Sequence, residues 1–290
     1  MRYLNPKADL TFKKVFGEHP DLTISFLNAL LPFNTEEEEI KEVEYLNPEL
    51  VPNNPLRKDS IVDVRCKDQQ GRQFIVEMQM MWTSAYKQRV LFNASKAYVS
   101  QLDKGGDYDL LQPVYSLNLV NDTFSDSPNY YHDFRIVERE DTKEVIEGLR
   151  FVFVELPKFT PKSYCDKRMQ VLWLRYLTEI DENTREVPDE LMRNPEISKA
   201  VGQLEESAFN REQLMGYDKF WDVVSTAKMQ ISSAYNDGHR EGKEEGRKEG
   251  KEEGRDEERR KNAMKMKAKG IPTEIISEIT GLSTGEINRL

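Results

Sequence analysis

Residues 57–80, RKDSIVDVRCKDQQGRQFIVEMQM, place branched and aromatic residues on both sides of a polar turn at Gln70-Gly71. Ile61, Val62 and Val64 precede the turn and Phe74, Ile75 and Val76 follow it, which predicts a β-hairpin. Upstream, DLTFKKVFG (9–17) and residues 22–31 carry apolar positions at helical spacing, and Pro32 ends the second helix. KEVEYL (41–46) reads as a strand, and Asn53, Asn54 and Pro55 mark a loop. Downstream, Tyr86, Val90, Ala94, Ala97, Tyr98 and Leu102 form the apolar stripe of a helix over 84–102. PVYSLNLV (113–120) and RFVFVEL (150–156) then predict two further strands. Beyond 160 the apolar period is three and four, in 171–177, 197–209 and 215–235, as in a small helical bundle. Trp173, Phe220 and Trp221 are expected in its core rather than on a base-stacking platform.

The turn sets which side chains share a face. A three-residue loop, Gln69-Gln70-Gly71, with Gly71 left-handed, pairs Asp68 with Arg72. Asp63 then falls opposite Glu77, and Ile61 opposite Gln79. Glu77 and Gln79, two apart in a strand, project together. A two-residue loop would place Asp63 opposite Met78 and separate the acids. Facing acids are unfavourable unless positive charge lies between them, and carboxylates suit Mg²⁺. The competing reading is two acids on a solvated face that never meet. Lys87, Arg89, Asn93 and Lys96 lie off the stripe of the following helix, either as a solvated face or as phosphate contacts beside the acids.

Composition narrows the alternatives. No apolar run in the 290 residues is long enough to span a membrane, and MRYLNPKADL lacks the pattern of a signal peptide, so the cytoplasm is the expected compartment. Cys66 and Cys165 have no metal-ligand spacing, and His19, His132 and His239 are scattered, which argues against zinc. A net charge of −10 opposes bulk non-specific nucleic-acid binding but leaves room for a local basic groove.

The order helix, strand, strand, strand, helix, strand, with an acid in the second strand and ExQ in the third, resembles the PD-(D/E)XK nuclease superfamily. DLTFKKVFG, IVDV, FIVEMQM and YKQRVLFNASKAY, in that order, resemble the Rpn family of recombination-promoting nucleases and transposases. The resemblance implies an α/β, restriction-endonuclease-like αβββαβ core, to which the helical spacing further along adds a helical domain and a helical C-terminal tail. It also implies hydrolysis of DNA phosphodiester bonds with Mg²⁺ or Mn²⁺, in recombination or transposition. By position, Asp63, Glu77 and Gln79 are the implied catalytic residues. Asp63, Glu77 and the Met78 main-chain carbonyl are the implied metal ligands, and Asp9 would complete the shell. Lys87, Arg89 and Lys96, from their place off the apolar stripe, are the candidate DNA contacts. Gln79 replaces the lysine common in the superfamily, and Arg89 or Lys87 would supply the missing charge. The rival is an inactive nuclease fold serving as a DNA-binding or oligomerising scaffold.

The domains expected are 1–160 (nuclease-like), 161–232 (helical), 233–260 (charged helix or linker) and 261–290 (helix-turn-helix-like tail). From Gly238 to Gly254 glycine recurs every fourth residue. As a helix this makes a slow spiral groove that would admit a second copy, giving a homo-oligomer; as a tether it makes none. In the tail, Thr273 opens one helix and Ser283, with Glu286 three residues on, caps another. Asn288 and Arg289 are candidate base readers there, with packing or dimerisation as the alternative.

Overall fold

The computed structural model describes residues 2–33, 35–50, 60–103, 105–161 and 168–290. The loop at Asn53–Pro55, the start of the 57–80 stretch and Cys165 lie outside them. Two compact units divide within one helix: Met1–Val224 and Ser225–Leu290.

The first unit is built on a six-stranded sheet. Its elements are α1 (Asp9–Glu18), α2 (Pro20–Leu30), β1 (Val43–Tyr45), β2 (Glu49–Leu50), β3 (Ser60–Ile61), β4 (Val64–Asp68), β5 (Gln73–Gln79), α3 (Tyr86–Val99), β6 (Val114–Val120), β7 (Tyr131–Val137), β8 (Val145–Glu155), α4 (Arg168–Glu179), α5 (Asp189–Met192), α6 (Pro195–Gly202) and the start of α7 (Arg211–Ala268). The strand order is β1-β4-β5-β6-β8-β7, with β2 and β3 forming a separate ribbon. Central strands β5, β6 and β8 run parallel to their neighbours among themselves. Their near-continuous apolar sequence follows from burial on both faces.

One face of the sheet, with Val64, Cys66, Phe74, Val76, Leu117, Leu119, Val152 and Val154, packs on α1, α2, α4, α5 and α6 in a single core. Trp173 is fully buried there, edge-on to Phe26 at 5.4 Å. The helices expected to form a separate domain from 161 therefore share the sheet's core, because their apolar faces cover it. The predicted 197–209 helix also stops early, at Gly202. The other face carries α3, whose Ala94 and Ala97 pack on Ile75 and Val114, and whose Tyr86 and Val90 pack on Val120 and Phe153. Cys66 is a buried free thiol.

The hairpin has the register set by the three-residue loop: Val64 lies across from Val76 and Cys66 from Phe74. Gly71 has φ 81°, and the Asp68 N–H donates to the Arg72 carbonyl at 3.0 Å. The first strand, however, does not run through. The chain leaves the sheet at Val62-Asp63, and Ile61, expected opposite Gln79, pairs instead with Glu49 and is largely exposed.

In the second unit α7 is a continuous helix through all five repeat glycines, none of which has a neighbour within 4 Å of a Cβ position. After Gly270, α8 (Thr273–Thr280) ends at left-handed Gly281, and α9 (Thr284–Arg289) opens with the expected Ser283–Glu286 capping box. Ala263 of α7 joins Ile276, Leu282 and Ile287 in a small core, so the tail has a third helix to rest on. No helix among the described residues is long and apolar enough to cross a membrane.

Candidate active site

The break in the first hairpin strand makes the site. β5 continues past the first residue of β4, Val64, so the main chain from Glu77 outward loses its partner on that side. The Asp63 carboxylate takes the vacant acceptor position: the Met78 N–H donates to Asp63 Oδ2 at 2.7 Å. In a strand the N–H and C=O of one residue point to the same side, so the Met78 carbonyl opens towards Asp63 as well. The ladder ends at the Val64–Val76 pair, so Asp63 is not paired with Glu77 in the sheet; its carboxylate reaches the Met78 N–H and lies close enough for its charge to act on Glu77, whose side chain meets α3.

Glu77 is buried. Asn93 Nδ2 donates to its Oε1 at 3.0 Å, and Arg89 Nη2 reaches its Oε2 at 3.4 Å. Asn93 is itself buried and accepts from the Ser60 hydroxyl at 2.5 Å. Arg89 Nη2 also donates to Gln79 Oε1 at 2.6 Å, while Gln79 Nε2 donates to the Met81 carbonyl at 2.6 Å. Gln79 is thus clamped, and Arg89 bridges the two polar residues of ExQ. Beneath it, Tyr86 lies 4.7 Å from the guanidinium and donates to Asn118 Oδ1 at 3.2 Å.

Electrostatics mark the pair. Burial pushes the Glu77 carboxyl up to about 7, with the Asp63 charge adding to it and Arg89 opposing. Burial likewise pushes Asp63 up to about 6, opposed by the Met78 N–H and by Lys13, and reinforced by Asp9. A buried and a half-buried acid that resist ionisation together are short of positive charge. A divalent cation supplies it in the form oxygen donors accept, so the donor set fits one. Among the described residues no three His, Cys, Asp or Glu side chains converge as a metal cluster, so a third protein donor would have to be a main-chain oxygen such as that of Met78. Asp9, on the first turn of α1, is paired with Lys13 at 2.6 Å.

The three cations expected on α3 part company. Arg89 is in the site. Lys96 donates to the Leu50 carbonyl at 2.9 Å and lies over Phe92. Lys87 lies over the rings of Trp82, Phe124 and Phe134, at 5.7, 5.0 and 5.4 Å. Sequence reasoning did not foresee the grip of Asn93 on Glu77 or the field of Lys13 at Asp63. The spacing of Asn93 four residues after Arg89, one helical turn on, was the available signal for the first.

A family model described as PD-(D/E)XK nuclease family transposase matches residues 6–234, most of the chain. The chain belongs to that family. The span covers the whole sheet, α3 and the helices that share its core. No curated protein and no solved structure matches this PD-(D/E)XK family chain. Its αβββαβ arrangement and mixed α/β character are those of the nuclease fold.

Proposed function

We propose that the protein is a divalent-metal-dependent DNA endonuclease of the transposase-associated kind. The observation that supports this reading is the Asp63 carboxylate held on the Met78 N–H just before β4, near enough to raise Glu77, with Arg89 bound to both Glu77 and Gln79. Asp63, Glu77 and the Met78 carbonyl would hold Mg²⁺ or Mn²⁺. When bound, the metal supplies a nucleophilic water at neutral pH and charge to offset the phosphorane-like transition state. Asn93 and Ser60 fix the Glu77 carboxylate. Arg89 takes the place of the superfamily lysine, carrying fixed positive charge to the phosphate. Gln79, an amide without charge, holds Arg89 in position. Self-association along the glycine stripe of α7 belongs to the same reading, since the open stripe lets a second backbone approach closely.

One observation favours the rival, an inactive nuclease fold that binds DNA or assembles: both ends of the Gln79 amide are engaged within the protein. Supercoiled plasmid separates the two. Wild type should nick and linearise it with Mg²⁺ or Mn²⁺ and not with EDTA, and both Asp63→Ala and Glu77→Ala should lose this. A wild type that retards DNA on a gel but never cuts it would establish the scaffold.

A further inference from the structure

On the far flank of α3 from Glu77, aromatic residues gather that the acid site does not use. Trp82, just after β5, stacks on Phe124 with ring centres 4.3 Å apart. Phe153 meets Phe124 and Phe134 edge-on at 5.7 and 5.6 Å. Beside them lies a cavity of about 190 Å³ lined by Lys87, Val90, Leu91, Phe134, Phe151 and Phe153. Phe134 is 42 % exposed at its edge, on the outermost strand of the sheet. The Lys87 ammonium faces three of these rings. Among the described residues no carboxylate pairs with it.

The cluster is rigidly built. Phe124 sits on the loop after β6, and its N–H donates to the buried Glu155 carboxylate at 3.0 Å. Glu155 also holds His132 and Lys158, each at 2.8 Å. The Trp82 N–H donates to Asp122 on the same loop at 2.9 Å. A structural explanation, a lysine stem lying over apolar surface, accounts for Lys87 alone. It does not account for an apolar cavity left open beneath an unpaired cation.

We infer that this pocket binds an unpaired nucleobase of the DNA substrate, stacked on the exposed Phe134 with Phe151 and Phe153 lining the pocket, and with Lys87 on the adjoining phosphate. Every base has a π-face to offer, and a cation beside aromatic rings is the combination that single-stranded nucleic acid requires. The pocket and the acid pair lie on opposite flanks of α3, about 10–12 Å apart across one helix. A strand crossing the N-terminal end of α3 would reach both within a few nucleotides. The inference rests on the nuclease reading and narrows its substrate to DNA with an unpaired segment near the cut.

The test is binding without metal, which keeps it apart from cleavage. Fluorescence anisotropy in EDTA would compare a labelled single strand of about 15 nucleotides with its duplex. Wild type should prefer the single strand. Phe134→Ala should lose about tenfold in affinity for the single strand and little for the duplex, and Phe134→Tyr should retain it. Lys87→Ala should weaken the single-strand complex and lower its salt slope by about one charge. Circular dichroism checks that each variant is folded. Equal single-strand affinity for wild type and Phe134→Ala overturns the inference, as does a wild type with no single-strand preference. So does a wild-type dimer that Phe134→Ala dissociates without change in DNA affinity, which would assign the patch to a second copy. Plasmid cleavage by wild type and Glu77→Ala, run in parallel with metal, reports separately on the nuclease reading.

Discussion

At Glu77 a carboxylate is held by Asn93 and Arg89 yet raised to about 7 by burial and the neighbouring acid. Its unfolded value is 4.5, so the metal-free folded state binds more protons across that interval and stability falls as pH rises from 4.5 to about 7. Glu77→Gln removes this slope. Urea unfolding in EDTA at pH 8 should find the variant more stable by roughly 1–3 kcal/mol, and near wild type at pH 4. Wild type should gain thermal stability with Mg²⁺ or Mn²⁺, and the same variant should not. A flat profile in wild type would mean that Glu77 ionises as readily in the folded chain as in the unfolded one. Arg89 is testable by transplanting its charge. Arg89→Ala should reduce cleavage by about 10²–10³-fold, and adding Gln79→Lys should recover part of it. No recovery would place the work of Arg89 in holding Glu77 rather than in charge.

Among the elements, the central strands were the easiest to read. FIVEMQM and VYSLNLV are buried on both faces and have no other use for their branched residues. The Gly71 loop sets the hairpin register from Asp68–Arg72 to Val64–Val76, one pair short of the Asp63–Glu77 pairing expected from it. The break at Val62-Asp63 was hidden, since Ile61 is as apolar as a core strand residue yet ends on an exposed ribbon. Strand β7 was hidden for the opposite reason: at the sheet edge, YHDFRIV has no buried face to impose alternation. Asn93, expected as a solvated residue or a phosphate contact, holds Glu77 instead; a helix exposes and buries polar side chains with the same spacing. Helix α7 carries its own prediction. Alanine at Gly242, Gly246 and Gly250 meets nothing and should stabilise the helix by about 0.5–1 kcal/mol each, raising its melting temperature by circular dichroism. It should also shift the chain towards monomer in sedimentation velocity. A triple variant that associates as well as wild type would put self-contact elsewhere.

For the whole molecule, a net charge of −10 means that DNA must be met by a few placed cations against a repulsive background. Arg89 and Lys87 lie on the two flanks of α3, and two phosphate contacts give a slope of log affinity against log salt of about −1.5 to −2. Anisotropy titrations across that salt range measure it, and a slope two or three times steeper would reveal a basic surface elsewhere, with the tail helices the first place to look. The core of the first unit and the small core around Ala263 are separate, and the family match ends at 234. A chain cut after 234 should therefore fold and retain metal-dependent plasmid cleavage. Loss of cleavage with folding intact would give the second unit a part in the reaction.

The bond from the Met78 amide to Asp63 makes one main-chain proton a reporter on the acid site. In hydrogen exchange, Asp63→Ala should leave that amide unprotected while Val76, laddered to Val64, keeps its protection. Any ligand that draws the carboxylate away from Met78 would be recorded in the same way, as a change in the lifetime of a single proton, before any DNA is cut.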